Sequence, residues 1–112
     1  MAIAYAGIEV GLREVVLKDK PAAMLAASSK GTVPILIETN GRVIDESLDV
    51  MAWALDQQDS DHWLNGEGLQ DPLINSCDST FKHWLDRYKY AVRFTEQNEQ
   101  WYRAQGLSLI HI

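Results

Sequence analysis

The stretch from Lys30 to Leu55 reads K-G-T-V-P-I-L-I-E-T-N-G-R-V-I-D-E-S-L-D-V-M-A-W-A-L and decides the fold of the first half of the chain. Two short apolar runs, Val33 to Ile37 and Arg42 to Ile44, flank Thr39-Asn40-Gly41. Asn-Gly between such runs is a strong hairpin signal because both residues tolerate a positive φ. The stretch therefore predicts a β-hairpin.

A helix is predicted directly after the hairpin. Asp45-Glu46-Ser47 supplies acidic and hydroxyl groups, and the apolar residues that follow lie at i, i+3, i+4 and i+7: Leu48, Met51, Ala52 and Leu55. The amino end of such a helix has unpaired N–H groups and a positive dipole end, which suit a carboxylate.

Pro34 stands at the head of the first predicted strand and holds Val33 extended, with its backbone groups facing outward. An exposed strand edge binds extended peptides by adding them as a further strand. Together with the helix start, this edge predicts a cradle for a small peptidic acid. The alternative is a plain hairpin packed on a helix, in which Glu46 and Ser47 only cap the helix and offset its dipole.

The composition excludes several classes of function. The 112 residues suffice for one modest domain, and the net charge of −6 is even, with five Lys/Arg against eight Asp/Glu in each of residues 1–57 and 58–112. This balance disfavours nucleic acids and anionic membranes. The single cysteine, Cys77, excludes an internal disulfide and fits a reducing compartment. With no membrane span and no secretion signal in the sequence, we expect a cytoplasmic protein.

The residues before the hairpin alternate between helix and strand signals. Residues 1–6 read as the last turns of a helix that Gly7 ends. The valine-rich stretch from Gly11 to Leu17 predicts a strand. Pro21 is predicted at the first position of a helix that continues from Ala22 to Ala27. The order predicts an α/β arrangement.

The second half of the chain is predicted to be helical. Residues 58–71 form a polar linker interrupted by Gly66 and Gly68 and pinned by Trp63 and Leu64. Asp71 and Pro72 then cap and open a long helix. Its predicted apolar face comprises Leu73, Ile74, Cys77, Phe81, Trp84, Leu85, Tyr88, Ala91 and Val92, and its solvated face comprises Lys82, Asp86, Lys89 and Arg93.

Other features complete this half. Cys77, on the apolar face, is expected to be a small buried hydrophobe. A second helix is predicted to begin near Glu96. The uncharged, β-prone residues 107–112 depart from a helical pattern, and we expect them to be non-native. His62, Asp59 and Asp61 are closely spaced in the polar linker and predict a solvated loop rather than a metal site. His83 and His111 are expected to be structural or exposed.

The quoted motifs resemble the glutathione S-transferase family. G-T-V-P-I-L is followed ten residues later by D-E-S, and the similarity extends upstream through G-I-E-V-G-L-R-E-V-V-L-K-D-K-P and downstream through D-P-L-I-N-S to F-K-H-W-L-D-R-Y-K-Y. The similarity is greatest to bacterial members akin to the omega class and to two-domain glutaredoxins.

The resemblance implies an α/β thioredoxin-like glutathione-binding domain at residues 1–57, a linker at 58–71 and the start of an all-helical domain at 72–112. It also implies that the first strand, and the turn that carries the reactive residue at the start of the first helix, precede the present sequence. The chain would then be a fragment with two strand edges facing a gap and with marginal stability on its own. No catalytic residue is assigned on this basis, and Tyr5 lies at the wrong end of its helix.

The same resemblance implies a role for each of five residues. The backbone of Val33 would pair with the cysteinyl part of glutathione, and Pro34 would be preceded by a cis peptide bond. Glu46 and Ser47 would hold the γ-glutamyl end, and Lys20 would approach the glycyl carboxylate. These five residues form the predicted glutathione-binding site, without a metal.

The implied activity is glutathione transfer to a small electrophile, or thiol–disulfide exchange with a disulfide substrate. A cysteine in the missing first-helix segment would indicate exchange, whereas serine or tyrosine would indicate conjugation. The full-length parent is expected to form a homodimer. The alternative is a non-catalytic scaffold or interaction protein with the same fold.

Overall fold

The computed structural model describes residues 1–64 and 68–109. The chain divides into two compact units, Met1–Leu69 and Gln70–Ile112, and each is described by itself. Part of the predicted linker, residues 65–67, and the last three residues of the predicted non-native tail lie outside the described residues.

The predicted hairpin is present in the first unit. Strand β1 (Leu36–Ile37) pairs antiparallel with β2 (Val43–Ile44), so that Leu36 lies opposite Ile44 and Ile37 opposite Val43. The ladder is shorter than the apolar runs that predicted it. Pro34, which has no N–H group to donate, lies outside the ladder.

The turn differs from the one that Asn-Gly suggested. Its backbone bonds run from the Gly41 amide to the Glu38 carbonyl and from the Glu38 amide to the Arg42 carbonyl, both at 2.9 Å. Gly41 has a φ of +88°, whereas Asn40 does not take a positive φ. The Asn40 Oδ1 atom instead accepts from the Arg42 amide at 2.8 Å. The result is a three-residue loop that needs glycine at its last position.

Helix α3 (Ser47–Gln57) follows the hairpin as predicted. Its buried face comprises Val50, Ala54 and Leu55, of which Ala54 is 0% exposed. Met51, predicted on that face, is 38% exposed, whereas Val50 and Ala54 are buried in addition to the predicted Leu55. The Trp53 Nε1 atom donates to Glu38 Oε1 at 2.7 Å and thereby fastens α3 to the hairpin.

Two short helices precede the hairpin. Helix α1 (Ala2–Tyr5) ends as predicted: the Gly7 amide donates to the Ala4 carbonyl at 3.2 Å and the Ile8 amide to the Ile3 carbonyl at 3.1 Å. This pair of bonds is the Schellman motif. Helix α2 (Ala22–Ala27) is also present, although Pro21 occupies its N-cap rather than its first helical position.

The predicted strand from Gly11 to Leu17 is not formed. Within the described residues, this stretch contributes only one isolated bridge, between Val16 and Asp19. Leu12 is 82% exposed, and a groove of about 470 Å³ lies between residues 13–15 and residues 33–37. A strand needs a neighbour for its backbone groups, and residues 11–17 pair with no strand among the residues that the structure describes. In the described part of the chain, the expected thioredoxin-like sheet is therefore reduced to the hairpin.

The second unit begins with the predicted cap. The Leu73 amide donates to Asp71 Oδ1 at 2.7 Å, and Pro72 opens α4 (Pro72–Ser76). The predicted long helix continues through a π-helical turn (Cys77–Phe81) into α5 (Lys82–Lys89) and then a short 3₁₀ turn (Ala91–Arg93). The wider turn rotates the following side chains relative to the predicted face.

Cys77 begins this π-helical turn and is exposed, so the expectation that it is buried is wrong. Leu73 and Val92, from the same predicted apolar face, are 59% and 91% exposed. In the described residues of this unit, α4 and the 3₁₀ turn have too few packing partners to cover the whole face.

Helix α6 (Glu99–Ser108) begins three residues after the predicted start, because the Asn98 side chain caps it by accepting from the Trp101 amide at 2.8 Å. It packs on α5 through Tyr102, which is 2% exposed, and Trp84. Residues 107 and 108 of the tail form the last part of this helix. None of the described helices has the length and hydrophobicity that a bilayer-spanning helix needs.

The packing at Ala54 predicts the cost of filling it. Ala54 is fully buried against Ala2 and Ala6, so Ala54→Leu overpacks the contact between α1 and α3. We expect a loss of about 1–3 kcal/mol in the free energy of unfolding, measured by urea denaturation. Ala26→Leu makes the same change at an exposed position of α2 and serves as the control. Equal effects of the two substitutions would contradict the packing described here.

Gly106 gives a second prediction, of the opposite sign. A Cβ atom added there would lie 3.9 Å from the Trp84 Cβ and 4.0 Å from the Phe81 Cε2, which is ordinary van der Waals contact. Gly106→Ala should therefore stabilise the protein by about 0.5–1 kcal/mol through helix propensity. Gly106→Pro, which removes an amide donor inside α6 and clashes with the preceding turn, should destabilise it in the same urea denaturation.

Candidate functional site

The hairpin brings the two halves of the predicted site to one end. Because Leu36 lies opposite Ile44, the residues before β1 and those after β2 emerge at the same end of the ladder. Val33 and Pro34 stand on one side, and Glu46 on the other. The peptide bond between Val33 and Pro34 is cis, as the resemblance implied.

The backbone groups of Val33 are not used within the unit. The residue is 52% exposed, and its N–H and C=O groups have no hydrogen-bond partner within residues 1–64 and 68–109. An extended ligand backbone is therefore free to pair with both groups.

The loop that precedes the hairpin docks on the start of α3. Lys30 Nζ lies 3.1 Å from Asp45 Oδ1 and 2.6 Å from Glu46 Oε1. The buried Ser28 hydroxyl donates to Asp45 Oδ2 at 2.6 Å. These contacts hold residues 28–31 against the junction between β2 and α3.

Sequence reasoning missed Ser28, Lys30 and Asp45 as members of this cluster. Lys30 is 15 and 16 residues away from its two partners, so no short pattern joins them. The predicted hairpin could have indicated this proximity, because a hairpin brings the residues that follow it close to the residues that precede it.

The hydrogen bonds of this cluster shift two pKa values. The Ser28 hydroxyl, and then the Lys30 ammonium, lower the pKa of Asp45. The Glu46 carboxylate, and then Asp45, raise the pKa of Lys30. Both shifts favour the charged forms of the cluster.

Glu46 and Ser47 begin α3 without capping it. Glu46 occupies the N-cap position, but its carboxylate accepts from Lys30 and not from the helix amides. Ser47 is exposed, and its hydroxyl has no hydrogen-bond partner in the part of the chain that the structure describes. The N–H groups of the first turn, Ser47 to Asp49, are likewise open over the same residues. Among the described residues, neither side chain therefore makes a capping hydrogen bond to α3, whereas the part of the alternative in which Glu46 offsets the helix dipole stays open.

Lys20 lies beside the loop that leads to Val33. An ideal Cβ at Gly31 would stand 3.2 Å from both Lys20 Nζ and Leu25 Cδ2, and Gly31 has a φ of +59°. Only glycine permits both the conformation and this close approach. The Lys20 ammonium thus lies against the loop at Gly31, two residues before Val33.

The polar stretch after α3 makes hydrogen bonds and a ring contact that stabilise the first unit. Asp59 accepts from the amides of Trp63 and Leu64 at 2.8 and 2.9 Å, and the Leu64 amide is the first cause of its lowered pKa. Trp63 stacks on Tyr5 with ring centroids 3.9 Å apart, which confirms that it pins this segment. The Tyr5 hydroxyl accepts from the Asp61 amide at 2.6 Å. No group of three or more metal-ligating side chains is assembled in the described ranges.

The lowered pKa of Asp45 predicts how stability depends on pH. A carboxylate whose folded-state pKa lies below its unfolded value stabilises the fold above the unfolded value, and this contribution is lost as the pH falls through the folded one. Below about pH 4, wild-type Tm should therefore fall more steeply than that of Asp45→Asn, measured by circular dichroism. Asp56→Asn removes an exposed carboxylate of α3 that makes no hydrogen bond to the described residues, and it should retain the wild-type slope. Parallel curves for wild type and Asp45→Asn would contradict the cluster.

Comparison with known proteins gives one match. The family model of the glutathione S-transferase N-terminal domain matches residues 1–63, which is more than half of the 112 residues and includes all five predicted site residues. Searches of curated proteins and of solved structures found no match. The motifs around the hairpin and the family model thus agree, and the chain belongs to the glutathione S-transferase family.

Proposed function

We propose that this chain binds glutathione at the end of the hairpin, as part of a protein that transfers it to electrophiles or uses it in thiol–disulfide exchange. The observation that carries the proposal is the open amino end of α3. There, the exposed Glu46 carboxylate and Ser47 hydroxyl adjoin unpaired amides, within a sequence that matches the family's glutathione-binding domain.

Each part of the tripeptide has a complementary group. The α-carboxylate of the γ-glutamyl end accepts from the Ser47 hydroxyl and from the first-turn amides, where the helix dipole favours an anion. The α-ammonium group pairs with Glu46. The cysteinyl backbone pairs with Val33 as an added strand, and the glycyl carboxylate pairs with Lys20.

This arrangement fixes the ligand at both ends and along its backbone. The thiol is left free to face a second substrate, since none of the five residues contacts the sulfur in this pose. These residues therefore bind and orient glutathione, which lowers the entropic cost of reaction. Activation of the thiol needs a further group that stabilises a thiolate, and none of the five is assigned this role.

The class within the family, the second substrate, the oligomeric state and the cellular location are part of the same proposal. The proposed omega-like class leaves both chemistries open, with a small electrophile or a disulfide as second substrate, and the full-length parent is proposed to be a homodimer. The single cysteine fits a reducing compartment such as the cytoplasm.

The double variant Glu46→Ala, Ser47→Ala tests the binding mode. Loss of the partners for the ammonium and the α-carboxylate should weaken glutathione binding at least about tenfold, measured by isothermal titration calorimetry. The matched control is Glu9→Ala, Thr39→Ala, which removes an exposed carboxylate and an exposed hydroxyl elsewhere in the unit.

Two outcomes would contradict the proposal. Unchanged affinity in the site variant would show that glutathione binds elsewhere. Failure of the folded wild-type chain to bind glutathione, or to be retained on a glutathione resin, would favour the non-catalytic scaffold.

A further inference from the structure

We propose that Lys30 sets the affinity and selectivity of the site by competing with the ligand ammonium for Glu46. The proposal rests on the proposed function, because it concerns the γ-glutamyl end of the same site. Lys30 is not among the residues that the resemblance assigned to this site.

The geometry places Lys30 where the ammonium of the ligand is required. Lys30 Nζ lies 2.6 Å from Glu46 Oε1, which is full hydrogen-bond contact between opposite charges. In the free protein, the Glu46 carboxylate is thus already paired with an internal ammonium group.

The pair is open to exchange. The side chains of Lys30 and Glu46 are 50% and 61% exposed, so both are accessible to a ligand. Lys30 also has a second carboxylate, Asp45, at 3.1 Å, and the other oxygen of Asp45 is held by the buried Ser28 hydroxyl. Release of Glu46 therefore leaves Lys30 bound to a fixed neighbour.

The competition lowers affinity in two ways. The ligand must displace the Lys30 bond to Glu46, and its ammonium then stands close to the lysine, which has a like charge. Because both side chains are exposed, the combined effect is small, and removal of the lysine charge should tighten glutathione binding about two- to fivefold.

The competition is selective for ligands that bear the α-ammonium. An analogue in which glutaric acid replaces the γ-glutamyl residue lacks this group, so it does not contend with Lys30 for Glu46. The lysine therefore reduces the preference of the wild-type site for the aminated ligand.

The test compares Lys30→Met with wild type in the full chain, by calorimetric titration with glutathione and with the glutaryl analogue. Lys30→Met should bind glutathione about two- to fivefold more tightly and should not gain affinity for the analogue. Lys18→Met, which makes the same change at an exposed lysine, and Lys30→Arg, which keeps the charge, should both behave as wild type. If Lys30→Met does not fold, Lys30→Gln replaces it, since it removes the charge but keeps a donor for Asp45.

The outcomes separate the two proposals. If wild type binds glutathione and Lys30→Met binds it with equal or lower affinity, the competition is overturned and the proposed function stands. Equal gains for glutathione and the analogue also overturn it, because they indicate a general charge effect. Absence of glutathione binding in every folded variant overturns the proposed function, and the competition with it.

Discussion

The register of the hairpin is the constraint on which the first unit depends. Leu36 opposite Ile44 buries Ile44, which is 6% exposed, and directs the chain into α3 at the end where Val33 and Pro34 stand. A slip of one residue would turn Ile44 outward and move Glu46 away from Lys30. The three-residue turn ending in Gly41 fixes this register, and the bond from Trp53 to Glu38 holds the helix at the matching position.

A ladder of two residues per strand is marginal in isolation, so packing must support it. The packing of apolar side chains around the ladder is limited. Within the described residues no large side chain is fully buried, and the cluster around Ala54 consists of Ala2 and Ala6 with partly buried neighbours. The small side chains let α1 and α3 approach closely but bury little apolar area. The groove between residues 13–15 and 33–37 leaves further apolar surface uncovered.

The features that sequence predicted correctly are encoded in short windows: the hairpin turn, the start of α3, and the cap formed by Asp71 and Pro72. The predicted strand from Gly11 to Leu17 is not formed, because residues of high strand propensity still need a neighbouring strand to pair with. The burial of Cys77 was mispredicted because an apolar pattern does not show which part of a helix face has a packing partner, and Leu73 of the same predicted face is also exposed. Lys30 was missed because its partners are distant in sequence and meet it only through the hairpin.

Glu46 distinguishes a helix start that serves stability from one suited to a ligand. A cap satisfies the first helix amides from the side chain at this position. Here the carboxylate instead accepts from Lys30, and the amides of the first turn are open within the described residues. The stabilisation that a cap provides is thus not realised, while a carboxylate, a hydroxyl and a set of N–H groups converge at an exposed surface. This combination is unfavourable for an isolated helix and suits a zwitterionic ligand, because the anionic and cationic parts of its head group then have separate partners.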